Sequence, residues 1–190
     1  MDLPNVRNSV KDICKSMFDI LHKYAVAGLG KGDNYDLVMA AFKTMSVLVR
    51  DVKHFTITED QLKVLLIYAE QDLHDGDKQA TAFGLLKAII NRKLITPEIH
   101  LVMDKVANLS VTSELDNVRK QARVVFYNYL FQYPIGKHVE KHLSFYLNQL
   151  SYELQPGRLS ALELIYNVVT SFPLVSYKSH DLKLFVYLNS

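Results

Sequence analysis

The stretch Asp77-Lys78-Gln79-Ala80-Thr81-Ala82-Phe83-Gly84-Leu85-Leu86-Lys87-Ala88-Ile89-Ile90 decides how this chain folds. An aspartate at its start reads as a helix cap, and apolar side chains then occupy most of the helical circumference instead of a single stripe. Such a helix must be buried on several sides, which requires other helices around it. The flanking sequence supplies them. Upstream, Thr58 with Gln61 makes a capping box for a helix carrying Leu62, Leu65, Leu66, Ala69 and Leu73 up to Gly76. Before it, Leu37, Val38, Ala41, Phe42, Met45, Leu48, Val49 and Val52 mark a second helix. Val6, Val10, Ile13, Met17, Ile20, Leu21 and Tyr24 mark a first one, stopped by Gly28 and Gly30.

Downstream the pattern continues. Thr96, Pro97 and Glu98 open a fifth helix with Ile99, Val102, Met103, Val106 and Leu109 as its stripe. Ser113 opens a sixth, striped by Leu115, Val118, Ala122, Val125, Phe126 and Tyr129 and ended by Pro134. The seventh carries Val139, Leu143, Tyr146, Leu147 and Leu150. Pro156-Gly157 separates it from an eighth with Ala161, Leu162, Ile165, Val168 and Val169, closed by Pro173; a ninth begins near Ser179.

Helix starts at Thr58, Thr96 and Gly136 lie 38 and 40 residues apart, the spacing of HEAT or armadillo units. Asp77 and Asp116 open second helices 39 residues apart, Lys78-Gln79-Ala80 recurs as Lys120-Gln121-Ala122, and Asp116-Asn117-Val118-Arg119 before Ala122 has the HEAT second-helix pattern. The fold class expected is all-α, an α-solenoid of about four antiparallel HEAT-like pairs plus part of a fifth, with a globular helical bundle as the alternative. Residues 1–190 then form a single array, with pairs over 5–54, 58–93, 96–133 and 135–172 and a partial one over 179–190.

Composition narrows the classes further. At 190 residues, 49% hydrophobic and 22% charged, with a net charge of +2, the chain suits neither a disordered tail nor a strongly basic nucleic-acid binder. The one cysteine, Cys14, has no internal disulfide partner, and Met1-Asp2-Leu3-Pro4 has no secretory character, so a reducing compartment is expected. Apolar runs such as Leu184 to Leu188 are too short to span a bilayer.

No motif names a reaction or a cofactor. Gly28-Leu29-Gly30-Lys31-Gly32 follows a helix and lacks dinucleotide-site spacing, while Gly136-Lys137 is followed by His138 instead of a magnesium-binding hydroxyl. His138 and His142 could present two imidazoles to one metal, but no third ligand is evident and a polar helix face is preferred. The chain is therefore expected to have no catalytic residue, metal or cofactor. Charge by segment says more: residues 51–77 hold seven acids against two bases, and residues 78–141 ten bases against five acids. Within the basic stretch Lys120, Arg123, Lys137 and Lys141 are candidates to bind RNA or an acidic partner, with Lys120 and Arg123 pointing away from the apolar stripe. Arg119 is expected to pair with Asp77 or Asp116 between repeats.

The stretch from Asp72 to Ile90 resembles the down-regulated-in-metastasis protein family, the large HEAT-repeat subunit numbered twenty of the small-subunit processome. The resemblance extends to Asn91 to Ile99, Tyr133-Pro134-Ile135-Gly136-Lys137, Leu150-Ser151-Tyr152-Glu153, Gly157-Arg158 and Ala161-Leu162-Glu163. It implies a nucleolar, non-catalytic scaffold of the U3-containing pre-ribosome, supporting early cleavages toward small-subunit ribosomal RNA. Its implied partners are processome proteins, with pre-ribosomal RNA or the U3 ribonucleoprotein beside them. The competing class is a protein-only HEAT adaptor, such as a transport receptor or phosphatase scaffold. A segment of a longer array would also leave an apolar end, so the last segment, with Leu182, Leu184, Phe185, Val186 and Leu188, is expected either to self-associate or to fold back onto the preceding pair.

Overall fold

The computed structural model describes residues 3–28, 35–52, 55–136 and 138–171, and among them it contains helices and no strand. These are α1 (Leu3–Gly28), α2 (Tyr35–Asp51), α3 (Glu59–Asp72), α4 (Gln79–Arg92), α5 (Glu98–Thr112), α6 (Asp116–Gln132), α7 (His138–Asn148) and α8 (Gln155–Ser171), with a 3-10 turn at Gln149–Ser151. The Gly-rich segment from Leu29 to Gly32, Lys137, and the expected ninth helix with its apolar end lie outside the described residues.

The chain divides within α5 into two compact units, residues 1–105 and 106–190. In the first, α1 packs on α2 and α3 on α4, while α1 also meets α3 and α2 meets α4. First helices stack on first helices and second on second, which is the α-solenoid arrangement. In the second unit α7 packs on α8, and α6 on α8.

Local chemistry explains the boundaries. Thr58 and Gln61 form the expected capping box, Gln61 N–H reaching Thr58 Oγ1 at 3.3 Å and Thr58 N–H reaching Gln61 Oε1 at 3.0 Å. α4 is buried around most of its circumference through Ala82, Phe83, Leu85, Leu86, Ala88, Ile89 and Ile90, as its composition demands. Its cap differs from expectation. α4 begins at Gln79 with Lys78 at the cap and no side-chain cap bond; exposed Asp77 gives its N–H to Asp75 Oδ1 at 3.1 Å. A tight turn through Asp75 takes the role assigned to Asp77. Likewise α6 starts at Asp116, three residues beyond Ser113, and Pro156-Gly157 lies in the first turn of α8 instead of ahead of it.

The first helix differs more. Cys14, Phe18 and Ala25 form its buried face, whereas Val10, Ile13, Met17, Ile20 and Tyr24 are 44–59% exposed. Periodicity locates an apolar stripe but not what lies opposite it, and α1 has apolar character on two adjacent faces, of which α2 and α3 cover one.

Three interhelical loops are closed the same way. Gln79 Nε2 donates to the Leu73 carbonyl at 2.6 Å. Arg119 Nη1 donates to the carbonyls of Ser113 at 2.7 Å and Glu114 at 2.9 Å. Arg158 Nη1 donates to those of Tyr152 at 2.8 Å and Glu153 at 2.9 Å. In each case the first carbonyl lies six residues back, and positions 79, 119 and 158 recur at the repeat interval.

Two substitutions check this packing. A Cβ at Gly157 would strike the Tyr152 ring and sit 2.8 Å from the Val111 carbonyl oxygen. Gly157→Ala should therefore cost about 1–3 kcal/mol, measured by denaturant unfolding, because a backbone oxygen cannot move aside as a side-chain end can. Asp72 is buried with Oδ2 lacking a hydrogen-bond partner, and desolvation raises its pKa against the pull of Lys78. A raised carboxyl favours the folded state only while protonated, so its contribution is lost as pH climbs through the raised value. Asp72→Asn should raise the thermal midpoint at pH 7 and lose that advantage at pH 3.

Candidate nucleic-acid interface

The basic residues of α6 do not form a free cationic face. Lys120, with its side chain 62% exposed, holds Asp116 Oδ2 at 2.6 Å one turn earlier. Arg119 also reaches Asp116, Oδ1 at 3.1 Å, while its other amine group closes the α5–α6 loop. Both contacts stay within one helix pair. The expected pairing between repeats is thus replaced by one along α6, because the arginine fork fits the loop carbonyls and the first-turn aspartate together. The two cations hold the Asp116 carboxyl below the usual carboxylate range, Lys120 chiefly. Asp77 is exposed and has no part in this network.

Arg123 departs furthest from the sequence reading. Its side chain is only 12% exposed, so it does not point away from the protein. It faces α8, where Nη1 donates to Ser160 Oγ at 2.7 Å and Nη2 pairs with Glu163. The serine in turn donates to the Ser110 carbonyl on α5. Ser110 Oγ meets the Tyr146 hydroxyl of α7 at 2.7 Å and donates to the Ala107 carbonyl at 2.7 Å. Tyr146 is fully buried, and burial drives its pKa far upward, so the phenol remains neutral and able to donate. One polar chain therefore ties α5, α6, α7 and α8 together. Nothing in periodicity singles it out, although serines at apolar positions of α5 and α8 are a readable sign.

The second unit also corrects the histidine reading. His142 is buried, edge-on to Phe126 at 5.0 Å and to Tyr129 at 5.5 Å, instead of lying on a polar face. His138 stands 6.3 Å from it, ring to ring, and among the described residues no three His, Cys, Asp or Glu side chains are placed to hold a metal. Lys141 is exposed on α7, and Lys137 is not described. Of the four candidate cations, the structure thus places two, Lys120 and Lys141, at the surface and commits Arg123 to the interior.

A basic residue outside the expected set behaves like Arg123. Arg92 Nη2 donates to the Phe55 carbonyl at 2.7 Å, Nη1 reaches the Val49 and Val52 carbonyls at 3.2 and 3.3 Å, and the guanidinium lies 5.1 Å from the Phe55 ring centre. Burial lowers its pKa. Lys78 and Lys105 pair with Asp75 and Glu70. The three arginines of residues 78–141, Arg92, Arg119 and Arg123, are thus committed to holding the fold.

Helix pairs stacked first on first and second on second, with loops closed once per repeat, define a HEAT-like α-solenoid. Within that class the chain is similar to U3 small nucleolar RNA-associated protein 20 of Schizosaccharomyces pombe, 31% identical over 156 residues, and to that of Saccharomyces cerevisiae, 29% identical over 136 residues. These similarities cover 82% and 71% of this chain, and bear out the family resemblance carried by residues 72–90. The chain spans 6% of the length of the first relative and 5% of the second. No protein-family model matches it. Among the described residues no helix is long and apolar enough to cross a membrane.

Charge reversal separates the two kinds of cation. Lys120→Glu should cost less than about 1 kcal/mol, since an exposed ion pair contributes little. Arg123→Glu should cost about 3 kcal/mol or more, because it strands Ser160 and sets two carboxylates together. Urea unfolding of the two variants measures the difference.

Proposed function

We propose that this chain is a non-catalytic scaffold segment of the nucleolar small-subunit processome, the U3-containing pre-ribosome, and supports early processing of the precursor to small-subunit ribosomal RNA. The observation that carries this reading is the 31% identity, over most of the chain, to a protein whose name ties it to U3 small nucleolar RNA. A stacked helical array suits the role, since it offers extended surfaces to partners without needing a reaction centre. Its partners in this reading are processome proteins, with pre-ribosomal RNA or the U3 ribonucleoprotein contacted by surface lysines. The internal commitment of Arg119 and Arg123 leaves Lys120, Lys137 and Lys141 as the RNA-facing set.

A family-length protein carrying Lys120→Glu, Lys137→Glu and Lys141→Glu is the direct test. It should still fold and assemble with processome proteins, and should crosslink less to pre-ribosomal RNA. The slope of log affinity against log salt should fall by about one for each phosphate that is no longer bound. Unchanged crosslinking removes RNA from this surface. Recovery with transport or phosphatase components in place of U3 RNA supports the protein-only adaptor instead.

A further inference from the structure

Two loops of the second unit repeat a pair of exposed residues that the fold itself does not use. Leu115 and Leu154 stand at the caps of α6 and α8, four residues before the loop-closing Arg119 and Arg158. The Leu115 carbonyl accepts from Val118 and Arg119, both at 3.1 Å, and the Leu154 carbonyl from Gly157 at 3.1 Å and Arg158 at 3.2 Å. At such a position a side-chain oxygen is preferred because it takes a further first-turn N–H, and leucine has none to offer. The first unit shows the usual solution at the corresponding position. Asp75, four residues before Gln79, accepts from the Asp77 N–H at 3.1 Å through Oδ1 and holds Lys78 at 2.7 Å through Oδ2. The two leucines also gain little by burial, since they are 57% and 55% exposed. A side chain that neither caps nor packs breaks a local rule without a return inside the fold, which is the pattern of a functional position.

A carboxylate precedes each leucine. Glu114 and Glu153 are exposed, and among the described residues neither has an ion-pair partner, whereas adjacent Asp116 is held by Arg119 and Lys120. The stack brings the two Glu-Leu pairs to one edge. Arg123 of α6 pairs with Glu163 of α8, and Gly157 in the first turn of α8 lies against the Val111 carbonyl just ahead of the α5–α6 loop. Both helices therefore begin at the same end of the unit, and the leucines stand about one helix spacing apart, on the order of 10 Å. Their backbones are fixed, because Arg119 and Arg158 each hold two carbonyls of the loop, those of Glu114 and Glu153 among them. A contact fixed beforehand loses less freedom when it is covered.

We propose that Glu114-Leu115 and Glu153-Leu154 form one docking edge for a protein partner that receives the two leucines in apolar pockets and answers the two glutamates with lysine or arginine. Charge decides the occupant: carboxylates beside the leucines repel a phosphate backbone and complement a basic protein surface. A second copy is disfavoured, since the same edge on both sides of a two-fold axis would set glutamates against glutamates. The edge is distinct from the lysines assigned to RNA, so either can fail without the other.

Site-specific photocrosslinking in a family-length protein tests this in cells. A benzophenone side chain placed at exposed Asn117, beside the edge, should crosslink to one protein segment of net positive charge that carries apolar residues, identified by mass spectrometry. Leu115→Ser with Leu154→Ser should reduce that crosslink about tenfold or more, and so should Glu114→Lys with Glu153→Lys. Serine supplies the missing cap, so first-turn amides of α6 and α8 should exchange no faster in the leucine variant than in the parent. Crosslinks to RNA, to a second copy or to another part of the same polypeptide overturn the proposal. So do a neutral or acidic segment, the absence of any crosslink, and yields unchanged in the variants. Faster exchange overturns it too, since the leucines would then be holding the fold.

Discussion

The hydrogen bond from Arg123 to Ser160 Oγ is the contact on which the second unit turns. Ser160 Oγ accepts from Arg123 while its own proton goes to the Ser110 carbonyl, and Ser110 Oγ then meets the Tyr146 hydroxyl. A buried polar group without a partner costs about 1–3 kcal/mol, so each member of this chain depends on the next. The geometry it demands is close. Ser110, Gly157, Ser160 and Ala161 are small, which lets helix backbones approach until a serine reaches a main-chain oxygen. Aromatic bulk then fills the remaining space, with Phe126, Tyr129, His142 and Tyr146 in mutual ring contact.

A related constraint governs the loops. A helix end leaves backbone carbonyls without intrahelical partners, and a solenoid has such ends at every turn. Gln79, Arg119 and Arg158 answer this once per repeat, each from the opening turn of a second helix and each to a carbonyl six residues back. Arg92 does the corresponding work at the carbonyl end of α2. An arginine can satisfy two carbonyls with one nitrogen and still hold Asp116 with the other, which a lysine's single ammonium does less well.

What is legible in the sequence is local. The Thr58–Gln61 box and the all-round burial of α4 follow from interactions within a few residues, and the 38 to 40 residue interval of the repeats is itself a sequence property. The registers that depend on neighbours are not legible. Lys78-Gln79-Ala80 matches Lys120-Gln121-Ala122 by composition, yet the loop contacts align Gln79 with Arg119, two residues away from that match. Asp77 and Asp116 share a spacing but not a role, because only Asp116 has an arginine and a lysine in reach one turn on. Arg123 reads as a surface cation in the sequence because its partners, Ser160 and Glu163, lie about forty residues further along the chain.

Inward-facing arginines limit which cations the helix surfaces present. Arg92, Arg119, Arg123 and Arg158 all donate inward, and Arg50 is held by Asp51 at 2.8 Å. With these arginines spent on the fold, lysines are what the α6 and α7 surface offers a phosphate. An ammonium is a point charge that attracts phosphate without the planar two-bond match by which arginine reads a guanine edge or a fixed phosphate pose. Contacts of that kind position a backbone and leave its sequence unread. Lysines at such a surface add positive charge without discriminating between bases.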